Sequence, residues 1–208
     1  MSEGLVERVA RRVEAIIQRP MFVKVEASGR HAHLSREAVD ILFGKGHSLT
    51  KQADLSQPGQ FSCRERIRVI GPKAEFPSVV VLGPERKETQ IEISNTDAIV
   101  LGIPAVIRQS GDLTDTPSAR LAGPAGELTA RRGVIVAQRH IHITPGDAAL
   151  YGVRDGQVVS VHIWNRRSVT FNNVVIRVSA HFATYMHIDY DEANACGFQN
   201  GMIGLIEL

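Results

Sequence analysis

After Pro20, the apolar positions gather into short strand-like runs along most of the chain. "FVKVEAS", "IRVIG", "SVVVLG", "TQIEIS", "GVIVAQRHIHI", "QVVSVHIW" and "NVVIRVS" are short, rich in β-branched residues and bounded by Gly, Pro, Asn or Asp. That pattern predicts strands separated by turns. So many short strands point to a mainly β chain, a barrel or a sandwich. Helical spacing interrupts these runs in "LSREAVDILFG" and "ITPGDAALYG". There Ser35 and Thr144 are placed to cap, Pro145 suits the first helical position, and Gly44 and Gly152 end the turns. Residues 1–20 read differently. Leu5, Val6, Val9, Val13, Ile16 and Ile17 fall near one helical face with arginines and glutamates opposite, between a cap at Ser2 and a stop at Pro20. They predict an amphipathic helix that docks on its own body or pairs in a dimer, and its glutamates argue against a transit peptide.

Composition narrows the class. The chain has 208 residues, enough for one large or two small cores, with 43% hydrophobic and 22% charged residues. A formal charge of +2 and no Lys/Arg-rich block give no reason to expect nucleic acid. No apolar run approaches the ~20 residues needed to span a bilayer, and charges interrupt any signal-peptide core, so no membrane partner is expected. Cys63 and Cys196 form no close-spaced motif; they are expected to be small buried hydrophobes in a reducing cytosol.

The strands repeat. Residues 79–102 align with residues 174–197 at an offset of 95 without a gap, so that Thr89 meets Thr184, Ile93 meets Ile188 and Gly102 meets Gly197. "RHAH" at Arg30–His33 likewise returns as "RHIH" at Arg139–His142. A duplicated β module is the reading.

Chemistry enters at the histidine pairs. Side chains at i and i+2 of a strand share a face, so two imidazoles can converge on one cation at ~2.0–2.1 Å. A third ligand is needed, and the repeat supplies one per half. Glu92 between Ile91 and Ile93, and His187 between Met186 and Ile188, must face away from the oily layer. The expected metal ligands are therefore His31, His33 and Glu92 for one ion, and His140, His142 and His187 for the other. Three protein ligands with one open position is the pattern of a catalytic zinc, though cobalt or copper also occupies imidazole sites. With neutral histidines the first site would carry about +1 and suit a thiolate, and the second about +2 and suit a phosphate dianion. His47, His162 and His181 have no such setting and read as surface or loop residues. Arg86, six residues before Glu92, could hold phosphate oxygens in a bidentate fork. Arg30 and Arg139 point to the opposite strand face and read as structural.

Taken together, "RHAHLS", "LTKQADLSQPGQF", "VIGPK", "LGPERKETQIEIS", "GVIVAQRHIHITPGDA" and "MHIDYDEANA" resemble the PduL-type phosphotransacylases, or phosphate propanoyltransferases, of bacterial microcompartments, over nearly the whole chain. The resemblance implies two β-barrel domains related by internal duplication and capped by short α-helices. One barrel would comprise residues 21–29 plus 138–208, the other residues 30–137, after an N-terminal amphipathic helix at 1–20. It implies two zinc ions per chain on the six ligands named, and Arg86 as the catalytic, phosphate-binding residue. It also implies coenzyme A contacts at Ala27, Ser28, Gly29, Lys73 and Asn194. Its partners would be acyl-CoA, coenzyme A, phosphate, a second copy in a homodimer, and microcompartment shell or core proteins. The last would be reached through residues 1–20, which resemble an encapsulation peptide and place the protein inside a microcompartment of the bacterial cytoplasm. Two positions depart from the family: Gly29 and Asn95 stand where an asparagine and an arginine are usual.

The activity so implied is reversible transfer between acyl-CoA plus phosphate and acyl phosphate plus CoA, with propanoyl-CoA or acetyl-CoA as substrate. Zinc-bound phosphate would attack the thioester directly, so no nucleophilic serine or cysteine is required. The alternatives are a zinc-dependent thioester or phosphoester hydrolase and a noncatalytic zinc-binding scaffold of the microcompartment. Acyl preference and physiological direction have no sequence signal.

Overall fold

A computed structural model describes residues 21–208 together with Gly4, Glu7 and Arg8. The amphipathic helix expected over residues 1–20 lies outside these described residues. The first half of the chain forms β1 (Phe22–Ser28), β2 (His31–Ser35), α1 (Arg36–Phe43), β3 (Lys51–Asp54), β4 (Phe61–Ile70), β5 (Glu75–Arg86), β6 (Gln90–Ile93) and α2 (Asn95–Leu101). It continues through β7 (Ile107–Arg108), β8 (Ala119–Ala122), β9 (Glu127–Ala130) and β10 (Val134–Ala137). The second half forms β11 (His140–Ile143), α3 (Pro145–Tyr151), β12 (Val158–Ile163), β13 (Val169–Val178), β14 (Tyr185–Asp189), α4 (Tyr190–Cys196) and β15 (Ile203–Glu207). No helix among the described residues is long and apolar enough to cross a membrane.

The strands make one closed barrel, in the order β1-β14-β11-β13-β12-β15, and one half-barrel sheet of nine strands. That sheet is open between β7 and β9, and β3 pairs only with β4. The chain is mainly β, as its strand-like runs predict. β1 runs parallel to β14 and antiparallel to β15, so the first strand completes a barrel otherwise built by the end of the chain. Each unit buries its own core. Ala32, Leu34, Ile91 and Ile93 belong to the half-barrel core, while Ile141, Ile143, Met186 and Ile188 belong to that of the barrel. The thiols of Cys63 and Cys196 are free and buried, one in each core.

The duplication extends to individual bonds. β2 is flanked by parallel β5 and antiparallel β6, and β11 by parallel β13 and antiparallel β14. Ser35 and Thr144 cap α1 and α3, as expected from their places after the histidine pairs. Ser94 and Asp189 cap α2 and α4, each in a reciprocal capping box with Asp97 or Glu192. Both helices end on a left-handed glycine, Gly102 or Gly197, a conformation only glycine takes at no cost. Arg30 donates two hydrogen bonds to Asp97 and lies over Phe76; Arg139 pairs with Glu192 over Phe171. These arginines therefore lock each capping acid to the strand that carries the histidines, which is the structural role read for them.

Candidate metal centre

The pleat explains why the six ligand-competent side chains meet. Ala32, Leu34, Ile91 and Ile93 point into the half-barrel core, so His31, His33 and Glu92 must leave by the other face. The same alternation turns His140, His142 and His187 away from the barrel core. The strand register aligns each third ligand: Glu92 pairs directly with His31, and His187 directly with His140. All six line a single cavity of about 670 Å³ between the two units.

Within each group the ligand atoms all lie within 4.8 Å of one another. His31 Nε2 is 3.6 Å from Glu92 Oε2, and His33 Nε2 is 3.9 Å from Glu92 Oε1. Two ligand atoms on one tetrahedral zinc stand about 3.4 Å apart, so a small contraction would suffice. The rings are presented with a lone pair inward. Nδ1 of His31 donates to the Gly29 carbonyl and Nδ1 of His140 to the Gln138 carbonyl, each at 2.8 Å, which in the neutral rings leaves Nε2 unprotonated. His142 is buried with neither ring nitrogen hydrogen-bonded, a costly state unless a cation takes a lone pair. The residues fit two divalent ions.

Charge agrees with that fit. In the metal-free protein burial, followed by the neighbouring histidines, drives His142 down to about 2 and His187 to about 3, so both are neutral at any physiological pH. Burial also holds His33 well below the ordinary histidine value. Burial would raise Glu92, but the charges and hydrogen bonds of His31, His33 and Ser110 outweigh it and hold the carboxylate well below its usual range. For His31 burial is likewise outweighed, here by Glu92, and the ring is raised. The first group thus carries an anion and the second does not.

Some functional groups carry no sequence signal of their own. Ser110 Oγ donates to Glu92 at 2.8 Å and accepts from Gln90 and Arg86. Gln90, buried, donates to Glu92 at 2.6 Å and takes the Gly111 amide on its carbonyl oxygen. These bonds fix the carboxylate's orientation. Arg177 on β13, opposite His142 in the register, lines the cavity with Arg86. Neither guanidinium has a carboxylate within ion-pair distance among the described residues, and burial lowers the pKa of both.

The other expected contacts divide. Ala27, Ser28 and Gly29 line the cavity. A Cβ at Gly29 would stand 2.7 Å from Tyr190 Cζ, so glycine there makes room for the tyrosine ring. Lys73 packs its stem against Gly102 and Asn194 is exposed on α4; neither is among the cavity-lining side chains. Asn95, the other departure, is the exposed first residue of α2. His47 sits in a loop and bonds the buried Glu65 at 2.8 Å, while His162 on β12 and the loop residue His181 lie outside the cavity lining.

Against this geometry the comparisons with known proteins agree with one another. A family model described as phosphate propanoyltransferase matches residues 24–199. A phosphate propanoyltransferase of Clostridioides difficile is 52% identical over 204 residues, 98% of each chain. One from Listeria monocytogenes is 53% identical over 203 residues, covering 98% of this chain and 93% of its own. One from Thermotoga maritima is 45% identical over 202 residues, 97% of this chain and 96% of its own.

Proposed function

We propose a mechanism from one premise: the chain belongs to the phosphate propanoyltransferase family and is a phosphate acyltransferase. Its substrates are then an acyl-CoA and phosphate, exchanged reversibly for acyl phosphate and CoA. The observation that carries the mechanism is the cavity in which two three-ligand groups face two guanidiniums without carboxylate partners. Two zinc ions, one on His31, His33 and Glu92 and one on His140, His142 and His187, would supply positive charge to the phosphate and to the departing thiolate.

The remaining work falls to the protein's own groups. Arg86 and Arg177 enter from the half-barrel and the barrel respectively, and their charge binds and orients the phosphate dianion. A phosphate oxygen attacks the acyl carbonyl, a C–O bond forms, the C–S bond breaks, and CoA leaves as the thiolate. A preorganised guanidinium stabilises the oxyanion formed on the way. Holding both reactants in one cavity removes much of the entropic barrier to a bimolecular attack. Val80 and Leu82 give the cavity an apolar wall that suits a short acyl chain, propanoyl or acetyl. Nucleophilic catalysis by cysteine is disfavoured: burial pushes the Cys63 thiol up to about 11 and raises that of Cys196.

Thiol release from propanoyl-CoA and acetyl-CoA, measured with and without phosphate, tests this reading. Release that requires phosphate and yields one acyl phosphate per thiol is expected. Equal release without phosphate would make the protein a thioester hydrolase and overturn the mechanism.

A further inference from the structure

We infer that Ser56 and Gln57, on the turn between β3 and β4, are positioning residues that set the tautomer and ring orientation of His187. His31 and His140 are fixed by the backbone: each Nδ1 donates to the carbonyl two residues earlier in the chain. No such carbonyl bonds either ring nitrogen of His187 among the described residues. Side chains do this work instead: Glu26 of the same barrel, and Ser56 and Gln57 from the opposite unit.

Gln57 is only 4% exposed. Its Oε1 accepts from the Ala183 amide at 3.2 Å, and its Nε2 donates to the Ala183 carbonyl at 3.1 Å. Those two bonds decide which way the amide points, because an amide oxygen cannot donate and an amide nitrogen cannot accept. The second hydrogen of Gln57 Nε2 is left facing His187 Nε2 at 3.3 Å. That ring nitrogen must then be the acceptor, and the ring proton sits on Nδ1. Nδ1 in turn lies 3.8 Å from Glu26 Oε2. Glu26 is held there by Ser56, whose Oγ donates to the same oxygen at 2.5 Å. Adjacent residues of one turn thus act on both nitrogens of one ring, one directly and one through Glu26.

The consequence for the second metal group rests on the metal reading given above. A histidine binds a cation through an unprotonated nitrogen, and a partner at its other ring nitrogen, here Glu26 held by Ser56, fixes that tautomer. In the metal-free protein the turn keeps Nε2 unprotonated, and a cation bound there takes the lone pair that the Gln57 N–H holds in its absence. The His140 group is therefore completed by the docking of the half-barrel's turn, whereas the Glu92 group is oriented by Gln90 and Ser110 of its own unit.

The test uses the full chain with 15N-labelled histidine. NMR of the metal-free protein should find His187 protonated at Nδ1 in the wild type. Gln57→Met, close in size and without a donor, should shift it toward the Nε2–H form; Ser56→Ala should shift it less in the same direction. Zinc titration against a competing chelator should then show Gln57→Met changing affinity severalfold at the site containing His187, with the Glu92 site within twofold of wild type. An unchanged His187 tautomer in both variants, or an equal change in affinity at both sites, would overturn the inference. A wild-type chain that binds fewer than two zinc ions would instead overturn the metal reading, and the tautomer measurement would still decide the positioning role.

Discussion

A half-buried guanidinium without a carboxylate beside it is costly, and two in one cavity repel each other unless an anion arrives between them. Arg86 and Arg177 are in that condition, each lowering the favourability of charge on its neighbours. In the proposed mechanism the phosphate dianion offsets that cost beyond what the more distant Glu92 carboxylate does, so each arginine should matter most for phosphate. Arg86→Gln and Arg177→Gln are each expected to raise the phosphate KM about tenfold, equivalent to about 1.4 kcal/mol, with a much smaller change in the acyl-CoA KM. Steady-state kinetics with each substrate varied in turn will check this; an unchanged phosphate KM in either variant removes that arginine from the anion site. Arg86 was legible because it precedes Glu92 by six residues in "LGPERKETQIEIS". Arg177 was not. Within "VVIRVS" it looks like any outward strand residue, and only the pairing of β13 with β11 places it opposite His142.

At the scale of elements, the repeat holds the third ligand-competent side chain of each group against the first. The α2 and α4 capping boxes end the strands that carry Glu92 and His187, and the arginine before each histidine pair is tied to the same box. A cap removed from either helix should therefore weaken the strand pair as well as the helix. Ser94→Ala and Asp189→Ala are each expected to lower stability by about 1 kcal/mol, read as a shift in the urea midpoint. No shift in either variant would contradict the linkage drawn between cap and strand. The offset of 95 residues and the caps Ser35 and Thr144 could be read from the chain, since they depend only on local pattern. β3 and β7 could not. Lys51–Asp54 is exposed at every position and Ile107–Arg108 is two residues long, so neither has an alternation to detect. The turn after β3 was visible as a motif, but what Gln57 touches lies 126 residues away.

For the whole molecule, the path of the chain decides where the site can be. β1 enters the barrel, the chain then leaves to build the half-barrel, and β11 returns beside β14. The two histidine pairs consequently sit on different units and face each other across one cavity. Ser56 to Glu26, Gln57 to Ala183, and the Thr96 amide to Asp191 at 2.7 Å join the units around it. Sequence pattern supplied the strands, the duplication and all six ligand-competent residues. It could not supply the open edge of the half-barrel or the contacts between units, because both depend on partners distant in the chain. The central claim is that each unit holds one metal ion at a shared cavity. Anomalous diffraction at the zinc edge from crystals of the zinc-loaded protein measures this most directly. The expected result is two peaks per chain, one among His31, His33 and Glu92 and one among His140, His142 and His187. A single peak, or two peaks away from these residues, would contradict it.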